Sequence, residues 1–145
     1  MTAVGTPKLF GVEIPFVDHL GFELVMMEGG ASELQYLPKR EHMNSFLVAH
    51  GGAIMTLLDV TMATAARSVD LETGVVTIEM KTTFMQPCQG RLTGKGRLMH
   101  RTKSMAFTEG TIYDEQGRAC AHSTGTFKYV RRPAPGAPAN TISTD

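Results

Sequence analysis

The sequence predicts an α+β domain in which an antiparallel sheet wraps around one long central helix, and three observations carry that expectation. Asn44 to Arg67 (NSFLVAHGGAIMTLLDVTMATAAR) passes from turn-forming residues through His50-Gly51-Gly52 into a pattern with Ile54, Leu57, Leu58, Met62 and Ala65 at helix-face spacing. From Ala53 to Ala66 the only ionisable side chain is Asp59, and a helix apolar or small nearly all round belongs in an interior. Five or six strand-like segments in hairpin order, separated by turn signals, supply the sheet.

Taken in order, residues 1–12 show little pattern and are expected to be loose. Ile14 to Leu20 suits a short helical turn packed by Phe16, Val17 and Leu20. Gly21 to Met27 and Ala31 to Leu37 read as two strands of a hairpin around Glu28-Gly29-Gly30, ended by Pro38. Lys39 to His42 is a charged connector into the helix. After the loop Asp70–Gly74, the stretch from Val75 to Gln86 alternates, with Val76, Ile78, Met80 and Phe84 assigned to one face and Thr77, Glu79, Lys81 and Thr83 to the other. Arg91 to Arg101 alternates less cleanly; Gly94 and Gly96 there allow a bend, a bulge or close approach of a ligand. Ser104 to Tyr113 and Ala119 to Val130 form the last hairpin around Asp114-Glu115-Gln116-Gly117.

The chain of 145 residues fits one domain, placed at residues 1–130, with a Pro- and Gly-bearing tail at 131–145 expected to be disordered. Formal net charge is zero, which argues against general nucleic-acid binding. No apolar run approaches the ~20 residues that span a bilayer, and MTAVGTPKLFGVEIPF lacks a charged segment followed by an apolar core. Cys88 and Cys120 form no CxxC or metal-spaced set, so no metal is expected; their use suits a reducing cytosol. The 10 methionines are mainly core filling, with Met26, Met27, Met55, Met62 and Phe84 as candidates to line a pocket.

At about 100° per residue Asp59 falls off the main apolar face of the helix, roughly in line with Gly52, Ala63 and Ala66. A sheet that covers only one side leaves the Gly52/Asp59/Ala63 side without cover. A second copy of the chain is the economical solution, so a homodimer at least is expected.

The combination Asn44-x5-His50-Gly51-Gly52-x6-Asp59, followed by Val76-Thr77-Ile78-Glu79-Met80 and a long strand ending at Pro87, resembles the hotdog-fold acyl-CoA thioesterases. Within them it is similar to the branch that includes the phenylacetate-pathway thioesterase. The resemblance runs from near Gly21 to Val130. It implies a hotdog fold, a homodimer with two sites at the subunit interface, often paired into a tetramer, and hydrolysis of an acyl- or aryl-acyl-CoA without metal or cofactor.

It also implies roles. The Gly52 N–H, possibly with that of Gly51, would polarise the thioester carbonyl; a helix N-terminus offers such donors with a favourable dipole, and glycine leaves room for the ligand. Asp59 would act as base or nucleophile, facing the Gly52 of the other subunit, and Thr77 would help to hold the attacking water. Asn44 would orient water or the carboxylate, and His50 would shape the loop or assist at the carbonyl. Each has a plainer reading: a tight turn for the glycines, a hydrogen-bonded seam residue for Asp59, an ordinary strand threonine for Thr77, and loop or capping roles for Asn44 and His50. Arg101 and Lys103, from the basic set Arg91, Lys95, Arg97, Arg101 and Lys103, are candidates for the nucleotide end of coenzyme A, against the commoner meaning of a solvated strand face. Phe46-Leu47-Val48 is more hydrophobic than is usual in relatives and bears on acyl fit. The competing function is a non-catalytic acyl-CoA-binding module; Asp59 and Thr77 favour the enzyme.

Overall fold

The computed structural model describes residues 11–132. A short helix, α1 (Pro15–Leu20), starts with proline in its first turn and stops at Gly21, whose φ of 81° is the left-handed geometry of a helix C-cap. Strands β1 (Glu23–Glu28) and β2 (Ala31–Tyr36) follow as a hairpin through Gly29 and Gly30, both at positive φ, which the tight turn requires. The charged connector from Lys39 to His42 contains a 3-10 turn at Arg40–His42. The central helix α2 (Gly51–Arg67) comes next, then β3 (Thr73–Phe84), β4 (Leu92–Arg101), β5 (Met105–Tyr113) and β6 (Ala119–Arg131).

The six strands form one antiparallel sheet in the order β1-β2-β4-β5-β6-β3. The order is not a run of hairpins. β3 leaves the helix and crosses to the far edge beside β6, so that β2 and β3, neighbours in sequence on either side of α2, sit near opposite edges of the sheet. The sheet curls around α2, which buries Ile54, Leu57, Leu58, Thr61, Met62 and Ala65 against it. Gly94 and Gly96 of β4 lie close against Thr61 of the helix: a Cβ on Gly96 would stand 2.6 Å from the carbonyl oxygen of Thr61. The close approach expected there is the helix itself, not a ligand.

One irregularity corrects the strand reading. Thr77 pairs with Phe127 but Glu79 pairs with Thr126, so Ile78 is a bulge. Strict alternation would put Thr77 and Met80 on opposite faces. With the extra residue both turn inward, Thr77 to Asp59 and Met80 into the core, while Glu79 faces outward to Thr126. Ile78 is left 53% exposed at the sheet edge.

The opposite face of α2 remains largely open: Gly52 and Met55 are exposed, and Asp59 and Ala63 are only half-buried. β6 continues through Arg131, one residue into the expected tail; the remainder of that tail, and residues 1–10, lie outside the described residues.

Candidate active site

The N-terminus of α2 is built by the loop before it. The side chain of Asn44 is turned into that loop, its Oδ1 accepting from the N–H groups of Phe46 at 2.9 Å and Val48 at 3.3 Å. Backbone bonds from Leu47 to Asn44 and from Asn44 to Val48 close the turn, and Leu47 sits at φ 58°, where a side chain is unusual. The loop therefore presents Phe46, 83% exposed, in a fixed position. Ala49 N–H is tied to Cys88 O and His50 N–H to His42 O, which set the entry angle of the helix.

His50 is the N-cap residue, and its Nδ1 accepts from the Gly52 N–H at 2.8 Å. The donor expected to polarise a carbonyl is thus already engaged. The Gly51 N–H, at the first helical position, finds no acceptor among the described residues. Gly51 also borders a groove of about 670 Å³ whose walls include Phe46, Val48, Ile54, Phe84, Met85 and Pro87. Of the pocket candidates only Phe84 lines this groove; Met62 is core, and Met26 borders a different hollow beside Arg97 and Glu109. Met85, Ile54 and Cys88 line it without any signal in the sequence, because they reach it through the β3–β4 connection and the helix's own rotation.

Two turns along the helix, the Thr77 hydroxyl donates to Asp59 Oδ1 at 2.6 Å. Burial pushes the Asp59 carboxyl above the usual aspartate range, and the Thr77 hydrogen bond pulls it partly back. The eight residues from Gly51 to Asp59 correspond to a rise of about 12 Å, so the open N–H and the carboxylate of one chain do not meet at one atom.

Arg101 and Lys103 are not brought to the groove. Arg101 lies over the Tyr129 ring at 4.3 Å, and the Tyr129 hydroxyl donates to Ala66 O, at the far end of α2 from Gly51. Lys103 is exposed in the β4–β5 turn. Arg91 pairs with Glu23, Arg97 with Glu109, and Lys95 stands over Tyr113, which are sheet-face partnerships. Both cysteines are free and buried. Among the described residues there is no group of three or more His, Cys, Asp or Glu placed to hold a metal, and no helix long and apolar enough to cross a membrane.

A family model described as the thioesterase superfamily matches residues 46–121, the span that holds His50, the whole of α2 and Thr77. The chain belongs to that superfamily. A proofreading thioesterase, EntH, of Klebsiella pneumoniae is 31% identical over 111 residues, covering 74% of this chain and 80% of its own. The structure of a thioesterase family protein from Silicibacter pomeroyi superposes with a TM-score of 0.77 at 25% identity, covering 82% of this chain and 91% of that one. The PaaI protein of the E. coli phenylacetic acid degradation operon gives a TM-score of 0.76 at 20% identity, over 84% of this chain and 87% of that one, which speaks for the fold alone. The fold is the hotdog, and the chain is a thioester hydrolase.

Proposed function

We propose that the substrate is an acyl- or aryl-acyl-CoA, hydrolysed to the free acid and CoA, with the groove beside Gly51 taking the acyl group. The Gly51 N–H receives the thioester carbonyl, while His50 holds the Gly52 N–H and keeps the first helical turn in shape. Asp59, positioned by Thr77, activates water or attacks directly. Asn44 acts through the loop it braces.

The observation that carries this reading is the half-buried Asp59 on a helix face that its own sheet leaves open. Its own Gly51 is about 12 Å away along the helix. A second copy packed on that face would bring one chain's Asp59 to the other's Gly51. The apolar groups left at the same side, Ile78 and Phe84 at the β3 edge and Met55 on the helix, support a homodimer, and pairing of dimers would follow the family habit. Arg101 and Lys103 serve the nucleotide only in such a two-chain site. The working location is the cytoplasm, where acyl-CoA thioesters are found.

The test is thiol release across a panel of acyl- and aryl-acyl-CoAs, wild type beside Asp59→Ala. Turnover lost by orders of magnitude in a folded variant supports the assignment. Equal turnover in the variant removes Asp59 from the mechanism, and a wild type that hydrolyses other thioesters but no CoA ester removes the substrate class.

A further inference from the structure

The loop before the central helix carries backbone strain and holds one aromatic ring in the open. Leu47 sits at φ 58°, and among the described residues it is the only one other than glycine at positive φ. A branched side chain disfavours that geometry. The loop is over-determined by its hydrogen bonds: Asn44 Oδ1 accepts from the Phe46 and Val48 N–H groups, Leu47 N–H donates to Asn44 O, and Asn44 N–H donates to Val48 O. Strain held this firmly points to a functional segment. What the loop displays is the Phe46 side chain, 83% exposed and part of neither hydrophobic core cluster. The ring therefore adds little to the fold that strains to hold it.

Phe46 does line the groove of about 670 Å³ that borders Gly51, together with Val48, Ile54 and Phe84. No charged side chain among the described residues borders that groove, which suits an apolar acyl group. Ile54 is fixed in the core, whereas the Phe46 ring still has most of its surface in water. An acyl group that reaches the ring covers it and removes apolar surface from water on both partners. One too short to reach it gains nothing there. With the carbonyl anchored at the Gly51 N–H, the position of the ring therefore measures the acyl group. We infer that Phe46 is a specificity-determining residue that reads acyl length, favouring thioesters whose acyl group extends from Gly51 to its ring. This rests on the acyl-CoA reading above.

Two series of CoA esters test it, straight-chain from acetyl to decanoyl and aryl from benzoyl to 4-phenylbutanoyl. The wild type is expected to show a kcat/KM that rises along at least one series. In Phe46→Ala the advantage of the best ester over the shortest one cleaved shrinks about tenfold, through the loss of the ring's apolar contact, while the shortest ester is cleaved as before. Phe46→Leu, which keeps apolar bulk, recovers part of the advantage. The loop bonds to residue 46 run through its backbone N–H, so all of these chains keep the loop and fold. An unchanged ratio in Phe46→Ala overturns the inference. So does an equal loss on every ester, or a changed oligomeric state in analytical ultracentrifugation, either of which assigns the ring to the loop's shape or to contact between copies. A wild type with equal kcat/KM along both series overturns it and leaves the acyl-CoA reading standing. A wild type that cleaves no CoA ester overturns both.

Discussion

Alanine at Gly51 and at Gly52 should lower activity to different degrees, and the pair decides which N–H meets the substrate. At Gly51 a new Cβ would lie 3.5 Å from the Phe84 ring, ordinary contact, so the fold accepts it. Replacing glycine in the first helical turn gains up to about 1 kcal/mol of helix propensity, so Tm should hold or rise. Yet contact at that distance leaves no gap between Gly51 and Phe84 for a ligand atom, which needs about 3.5–4.0 Å on each side. A carbonyl displaced by even about 1 Å from its donor loses roughly 10² in rate, so kcat/KM should fall by about that factor. At Gly52 the Cβ would stand 3.1 Å from His50 Nδ1, tighter than side chains normally tolerate, and the imidazole must shift. The cap bond then weakens at a cost of about 1 kcal/mol, offset by a similar propensity gain, so stability changes little and activity falls less than at Gly51. Thiol release and thermal melts on both variants provide the assay. Wild-type kcat/KM in Gly51→Ala beside a hundredfold loss in Gly52→Ala would refute the assignment of the Gly51 N–H.

Further outcomes follow from single contacts. Thr77→Val removes the hydrogen bond that favours the charged Asp59; the carboxyl then titrates higher, and the acid limb of the kcat/KM profile moves to higher pH, whereas Thr77→Ser leaves it in place. If both variants give the same limb, Asp59 is not the group that titrates. Asn44→Ala frees two loop N–H groups and should cost about 1 kcal/mol in a denaturant titration together with activity; Asn44→Asp keeps the accepting oxygen and should restore both, which it would not do if the side-chain amide N–H groups were the working part. Gly96→Ala drives a Cβ against the Thr61 backbone oxygen, which cannot swing away, and should destabilise by about 1–3 kcal/mol, read as a lowered denaturation midpoint.

By itself the sequence determined the central helix, the positions of the strands to within a residue or two, the turns at Gly29-Gly30 and Asp114–Gly117, and Asp59 as an isolated carboxylate. These are local properties: side-chain periodicity and the φ preferences of glycine and proline act over a few residues. The place of β3 beside β6 was not legible, because strand order depends on which distant edges find each other. Nor was the face of Thr77, since a single bulge at Ile78 reverses the alternation and is set by pairing with β6. The hydrogen bond from Gly52 to His50, the turn of the Asn44 amide into its own loop and the distance of Arg101 from the groove also belong to the folded chain alone. Residue type and spacing name a donor or a charge, but what that group bonds to is settled by neighbours brought from elsewhere in the sequence.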